Sequence, residues 1–107
     1  MKHIPYEERV KTYTNAMLAY GDKMQLIVAL EELSECQKEI CKVLRGSGNP
    51  DHLAEEIADA TICLEQVQIM HGLIDMVRHK IDEKVRRLDE RLYAEAFGDK
   101  KAESGLL

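Results

Sequence analysis

Apolar residues recur at steps of three and four along almost the whole chain, and the residues that would interrupt a helix are confined to a few points. The two prolines are Pro5 and Pro50, and four of the six glycines fall at positions 21, 46, 48 and 72. Long uninterrupted stretches with helical periodicity lie between these breaks, so the chain is restricted to the all-α class. The interior must be built from Leu, Ile, Val, Ala and Met, because aromatic residues are only 5% of the sequence. That palette favours helices over strands.

Four helical segments are predicted. The first covers about 6 to 20, with Tyr6, Val10, Tyr13, Met17 and Tyr20 on one stripe. After Gly21, Asp22 is suited to cap a second helix, with Gln25 three residues on, and that helix runs to about Leu44. Its main stripe is Leu26, Leu30, Leu33, Ile40 and Leu44, but the run from Leu26 to Leu30 is apolar on every side, which predicts cover on more than one face.

Gly46-Ser47-Gly48-Asn49-Pro50 is the sharpest punctuation: glycine to end a helix, Asn49 to cap the next and Pro50 at its first position. A third helix then runs from about 51 to 70 with Leu53, Ile57, Ala60, Leu64 and Val67 as its stripe, and the chain breaks or bends near Gly72. The fourth, about 73 to 97, carries a narrow seam of Ile74, Val77, Ile81, Val85, Leu88 and Leu92. Residues 1 to 98 are expected to form a single helical domain and 99 to 107 a loose polar tail. A chain of 107 residues supports one modest core, so a four-helix bundle completed by association of subunits is expected.

The net charge of −5 argues against general binding to a nucleic-acid backbone. The longest purely apolar run, Leu26 to Leu30, is far short of a membrane span of roughly 20 residues. The first residues turn acidic where the apolar part of a signal peptide would begin. Cys36, Cys41 and Cys63 are an odd set without metal-ligand spacing, and they read as reduced residues of a cytoplasmic protein.

Two acidic patterns stand apart from this background. Residues three apart on a helix share a face, so Glu32 and Glu35 project side by side, as do Glu56 and Asp59. Their helical neighbours are apolar: Val28, Ala29 and Cys36 around Glu32, Leu53 and Ala60 around Glu56, and Ile62 and Cys63 around Asp59. Like charges at that spacing oppose helix formation, and desolvating them costs more unless a cation is present. Magnesium, a hard ion that takes oxygen ligands, suits such a set, and no ligand-spaced His accompanies it. Along the helices Glu35 and Asp59 are level, so a single cluster that includes Glu32 and Glu56 requires a crossing angle or a stagger of about one turn.

The pattern Glu31-Glu32-x-x-Glu35, a 20-residue interval, and Glu56-x-x-Asp59 resembles the signature of the MazG-like all-alpha nucleoside triphosphate pyrophosphohydrolases. The similarity runs from about Tyr20 to Arg91, two thirds of the chain. It takes in Gly21-Asp22-Lys23-Met24-Gln25-Leu26, Lys42-Val43-Leu44-Arg45-Gly46 and the run from His52 to Asp59. The resemblance implies a helical bundle assembled as a homodimer or homotetramer, and magnesium-dependent hydrolysis of a nucleoside triphosphate to the monophosphate and pyrophosphate, with manganese as a substitute ion.

By motif position it implies Glu32, Glu35, Glu56 and Asp59 as metal ligands. Glu31 or Glu35 would be the acid that activates water, while Glu31 and Glu55 could equally orient a ligand or face solvent. Lys84, Arg87 and Arg91, on one helical face, are candidates for the phosphates, and a salt-bridged solvent face explains each as well. Gln25 is a candidate for the base, and helix capping explains it equally. Members that act on dUTP alone or on phosphoribosyl-ATP are alternatives within the fold. A non-catalytic module that self-associates through the seam from Ile74 to Leu92 is the alternative outside it.

Overall fold

A computed structural model of the protein describes residues 1–97. The regular structure among these residues is helical: α1 (Tyr6–Tyr20), α2 (Asp22–Leu44), α3 (Pro50–Met70) and α4 (Ile74–Ala96). The tail expected at 99 to 107 lies outside the described residues. The chain divides into two compact units, Met1–Gly72 with α1, α2 and α3, and a second that begins at Leu73 and carries α4.

Each boundary has a local cause. Gly21 ends α1 at φ +84° and ψ 157°, a conformation essentially restricted to glycine, and its N–H donates to the Met17 carbonyl at 2.8 Å. Gly21, not Asp22, is therefore the cap of α2, and no side chain closes that end. Asp22 is the first residue of the helix, where its carboxylate still favours the positive end of the helix dipole.

The α2–α3 turn follows its chemistry closely. Gly46 donates to the Val43 carbonyl and Ser47 to the Lys42 carbonyl, both at 3.0 Å, which closes α2 with paired reverse bonds. Gly48 lies against Val43: a Cβ there would stand 2.7 Å from Val43 Cγ2, so no larger residue fits without displacement. Asn49 Oδ1 then accepts from the backbone N–H of Asp51 at 2.9 Å and of His52 at 3.3 Å. Replacing Asn49 by Ala is expected to cost about 1 kcal/mol, read as a lower thermal midpoint with unchanged helix content by circular dichroism.

α2 and α3 form the main packing pair of the first unit. The buried residues of α2 are Gln25, Ala29 and Glu39, with Glu32 and Cys36 half-buried between them. This is a run of steps of four and three. On α3 the buried set is Ala60, Cys63 and Gln66, with Glu56 half-buried. The seam is thus made of small and polar side chains.

Most of the apolar stripe expected to fill the core of α2 lies outside that seam: Leu30 is 70% and Leu44 83% exposed, and Leu33 and Ile40 are exposed too. Its phase is misread from sequence because the all-round apolar run carries no phase of its own, whereas Ala and Cys mark where two helices approach closely. α1 packs on both partners and is tied to α3 by polar contacts. The Tyr13 hydroxyl donates to Glu65 Oε2 at 2.8 Å, and Arg9 Nη2 donates to Glu65 Oε1 at 3.3 Å.

In the second unit α4 has no fully buried residue, and Ile81, Val85 and Leu92 of its expected seam are exposed. Its polar side carries His79–Glu83 and Lys80–Glu83 pairs at 3.4 and 3.6 Å.

Candidate metal centre

The acids of interest project from the middle of two helices, where neighbouring turns hold the backbone and only the side chains can adjust. Glu56 and Asp59, three apart on α3, share a face, and Glu32 meets them from α2. One carboxylate oxygen from each of the three lies within 4.8 Å of the others. Glu32 and Glu56 are half-buried and Asp59 is exposed, so the group opens to solvent on one side. Glu32 and Glu56 are thus brought to one point.

The electrostatics of the cluster are unfavourable for bare carboxylates. Desolvation, then the charges of Asp59, Glu56, Glu35 and Glu31, push the Glu32 carboxyl above its ordinary value. Glu56 is pushed up by desolvation and then by Asp59, Glu35, Glu39 and Glu55. The buried Cys63 thiol, one turn after Asp59, is raised by burial and by the charges of Glu32 and Asp59, which keeps it protonated and unreactive at neutral pH. Glu56 Oε2 is buried and accepts no hydrogen bond. A carboxylate oxygen in that state is costly unless a proton or a cation reaches it.

Three oxygen donors with no nitrogen or sulfur among them suit a hard, oxygen-preferring divalent cation. Glu35 stands outside the group of three, exposed on α2, yet its charge is felt by both Glu32 and Glu56. Glu31 is exposed as well. Gln25 is buried, only 8% exposed, two turns from Glu32 along α2. Lys84 and Arg87 are exposed and Arg91 half-buried on α4, in the second unit.

Two features escape a reading of the sequence. Glu39 is the one fully buried acid among the described residues, and its position seven residues beyond Glu32 puts it on the same helical face. That spacing was the available signal. The Glu65 cluster gave none, because its partners Tyr13 and Arg9 lie 52 and 56 residues away.

Comparison with known proteins finds no matching family model, no matching curated protein and no matching solved structure. Among the described residues no helix is long and apolar enough to cross a membrane.

Proposed function

We propose that the chain is a magnesium-dependent nucleotide pyrophosphohydrolase of the MazG-like kind, cleaving a nucleoside triphosphate to the monophosphate and pyrophosphate. The observation that carries this reading is the convergence of Glu32, Glu56 and Asp59, with one buried Glu56 oxygen lacking a partner. These three acids come from the two patterns on which the family resemblance rests. Magnesium, with manganese as a substitute, supplies charge neutralisation for the triphosphate and a more acidic bound water.

The protein's own residues do the rest. Glu32, Glu56 and Asp59 hold the ion, and Glu35 adds negative charge to their field. Glu31 or Glu35, exposed beside Glu32, takes the proton of the attacking water. Water adds to the α-phosphorus, the bond to the β-phosphate oxygen breaks, and pyrophosphate departs with that oxygen. The family resemblance alone assigns Lys84, Arg87 and Arg91 to the phosphates and Gln25 to the base.

A second reading is favoured by the exposed apolar residues. Leu30, Leu33, Ile40 and Leu44 on α2 are exposed, as are Ile81, Val85 and Leu92 on α4, and uncovered large apolar side chains of this kind suit an interaction surface. In the enzyme reading a second copy covers part of it, as a homodimer or homotetramer that completes the bundle. In the alternative, self-association is the whole function. We place the protein in the cytoplasm, with its three cysteines free, and assign it no nucleic-acid or membrane partner.

One assay separates these readings. Incubation with a panel of ribo- and deoxynucleoside triphosphates, including dUTP, and with phosphoribosyl-ATP, in magnesium buffer is expected to release pyrophosphate from at least one of them. Glu56→Gln and Asp59→Asn are expected to lower turnover at least about 100-fold, since even changes outside a metal's direct ligands cost 10–100-fold. Absence of pyrophosphate from every substrate would leave the self-association module as the surviving reading, and unchanged turnover in both variants would remove the three-carboxylate group from the reaction.

A further inference from the structure

Two glutamines lie in the α2–α3 seam with almost all of their surface covered: Gln25 and Gln66 are each 8% exposed. Glutamine is mostly a surface residue, and a buried amide is ordinarily hydrogen-bonded. Neither of these side chains has a hydrogen-bond partner among the described residues. The only buried side-chain atoms there that are both sealed from solvent and without a partner are Oε2 of Glu39 and of Glu56, so both glutamine amides stay reachable from outside.

The carboxylates fix where the two amides stand. Gln25 precedes Glu32 by seven residues and Gln66 follows Asp59 by seven. Seven residues are two helical turns, about 10 Å along the axis, and return a side chain to the same face. α2 and α3 run in opposite directions from the turn that joins them, so both steps lead the same way from the three-carboxylate group and end level with each other. Ala29 and Cys63, buried between the acids and the glutamines, are small enough to keep the helices close over that span.

We infer that Gln66, together with Gln25, contacts the heterocyclic base of the nucleotide whose phosphates meet the carboxylate centre. The inference rests on the hydrolase reading and adds to it a residue that the family resemblance does not name. An amide side chain carries donor and acceptor side by side, and the edge of a nucleobase offers neighbouring acceptor and donor atoms that such an amide meets with two bonds. Two turns is a span that a nucleotide bridges between its phosphates and its base. Neutral amides bring no charge to attract a second cation, and an apolar ligand would leave both of them unbonded.

The test follows the nitrogen-15 side-chain amide signals of the native full chain in magnesium buffer as the four deoxynucleoside monophosphates, and separately inorganic phosphate, are added. The signals of Gln25 and Gln66 are expected to shift with at least one nucleotide and to stay in place with phosphate, while exposed Gln37 responds to neither. Unmoved Gln66 would overturn the inference and leave the hydrolase reading standing; shifted amides in a chain that releases no pyrophosphate would overturn the hydrolase reading and keep the base contact. Gln66→Met is expected to lower kcat/KM for the preferred deoxynucleoside triphosphate about 10-fold and to narrow the differences among the four bases at an unchanged thermal midpoint. A lower midpoint with unchanged ratios among the bases would make Gln66 a packing residue and overturn its role.

Discussion

Glu56→Gln and Asp59→Asn are expected to raise the thermal midpoint of the metal-free protein at pH 7 and, in the same step, to weaken or erase its response to magnesium. A functional ligand removed from a site usually costs stability or leaves it unchanged. Here the sign is reversed because the folded state presses Glu32, Glu56 and Asp59 together and desolvates two of them. An amide keeps the shape, removes one charge and can donate to the carboxylates that remain.

The pH dependence has a defined direction. Glu32 and Glu56 have folded pKa values raised above 4.5, so protons bind more tightly to the folded chain than to the unfolded one. Their contribution to stability is fully present below about pH 4.5 and is lost as pH rises through the raised values. Thermal scans of metal-free native protein are therefore expected to show this loss over the weakly acidic range on going toward neutrality, and Glu56→Gln is expected to flatten it. A native curve that rises through that range, with no difference in the variant, would contradict the assignment.

The second large effect concerns the fold. Tyr13 is 5% exposed, the most buried aromatic side chain among the described residues, and it links α1 to α3. Tyr13→Ala is expected to lose about 3–5 kcal/mol by opening a cavity, which for a unit of this size is a drop in midpoint of roughly 12 °C or more. Tyr13→Phe keeps the ring and removes only the 2.8 Å bond to Glu65, costing about 1.5–2 kcal/mol. A chemical denaturation series of native, Phe and Ala proteins separates the two contributions. Equal midpoints for all three would mean that α1 does not depend on this contact.

Helix boundaries were the most legible part of the chain. Gly21, the run from Gly46 to Pro50 and Gly72 each interrupt the helical pattern, and α1 and α2 end where those residues require. The buried face of α2 was not legible. Large aliphatic side chains dominate a hydrophobic pattern, yet the seam uses Gln25, Ala29, Glu32, Cys36 and Glu39, which score as small or polar. The same inversion explains the site. Glu56 and Asp59 share a face by their i, i+3 spacing and Glu32 stands out by its apolar neighbours, whereas Glu39 carries no signal beyond its seven-residue spacing from Glu32. Contacts such as Tyr13 with Glu65 depend on how whole helices dock, and local pattern does not encode them.

A divalent-cation site at the carboxylates that meet between α2 and α3 requires that the cation stabilise the folded chain. Its most direct test is the thermal midpoint of the native chain at pH 7 as magnesium is titrated into chelator-treated protein. The midpoint is expected to climb with magnesium concentration, by an amount equivalent to about 2.7 kcal/mol at a hundredfold excess over the dissociation constant, and the response to be lost in Glu56→Gln. A midpoint that stays flat across the titration, or that climbs equally in the variant, would contradict it.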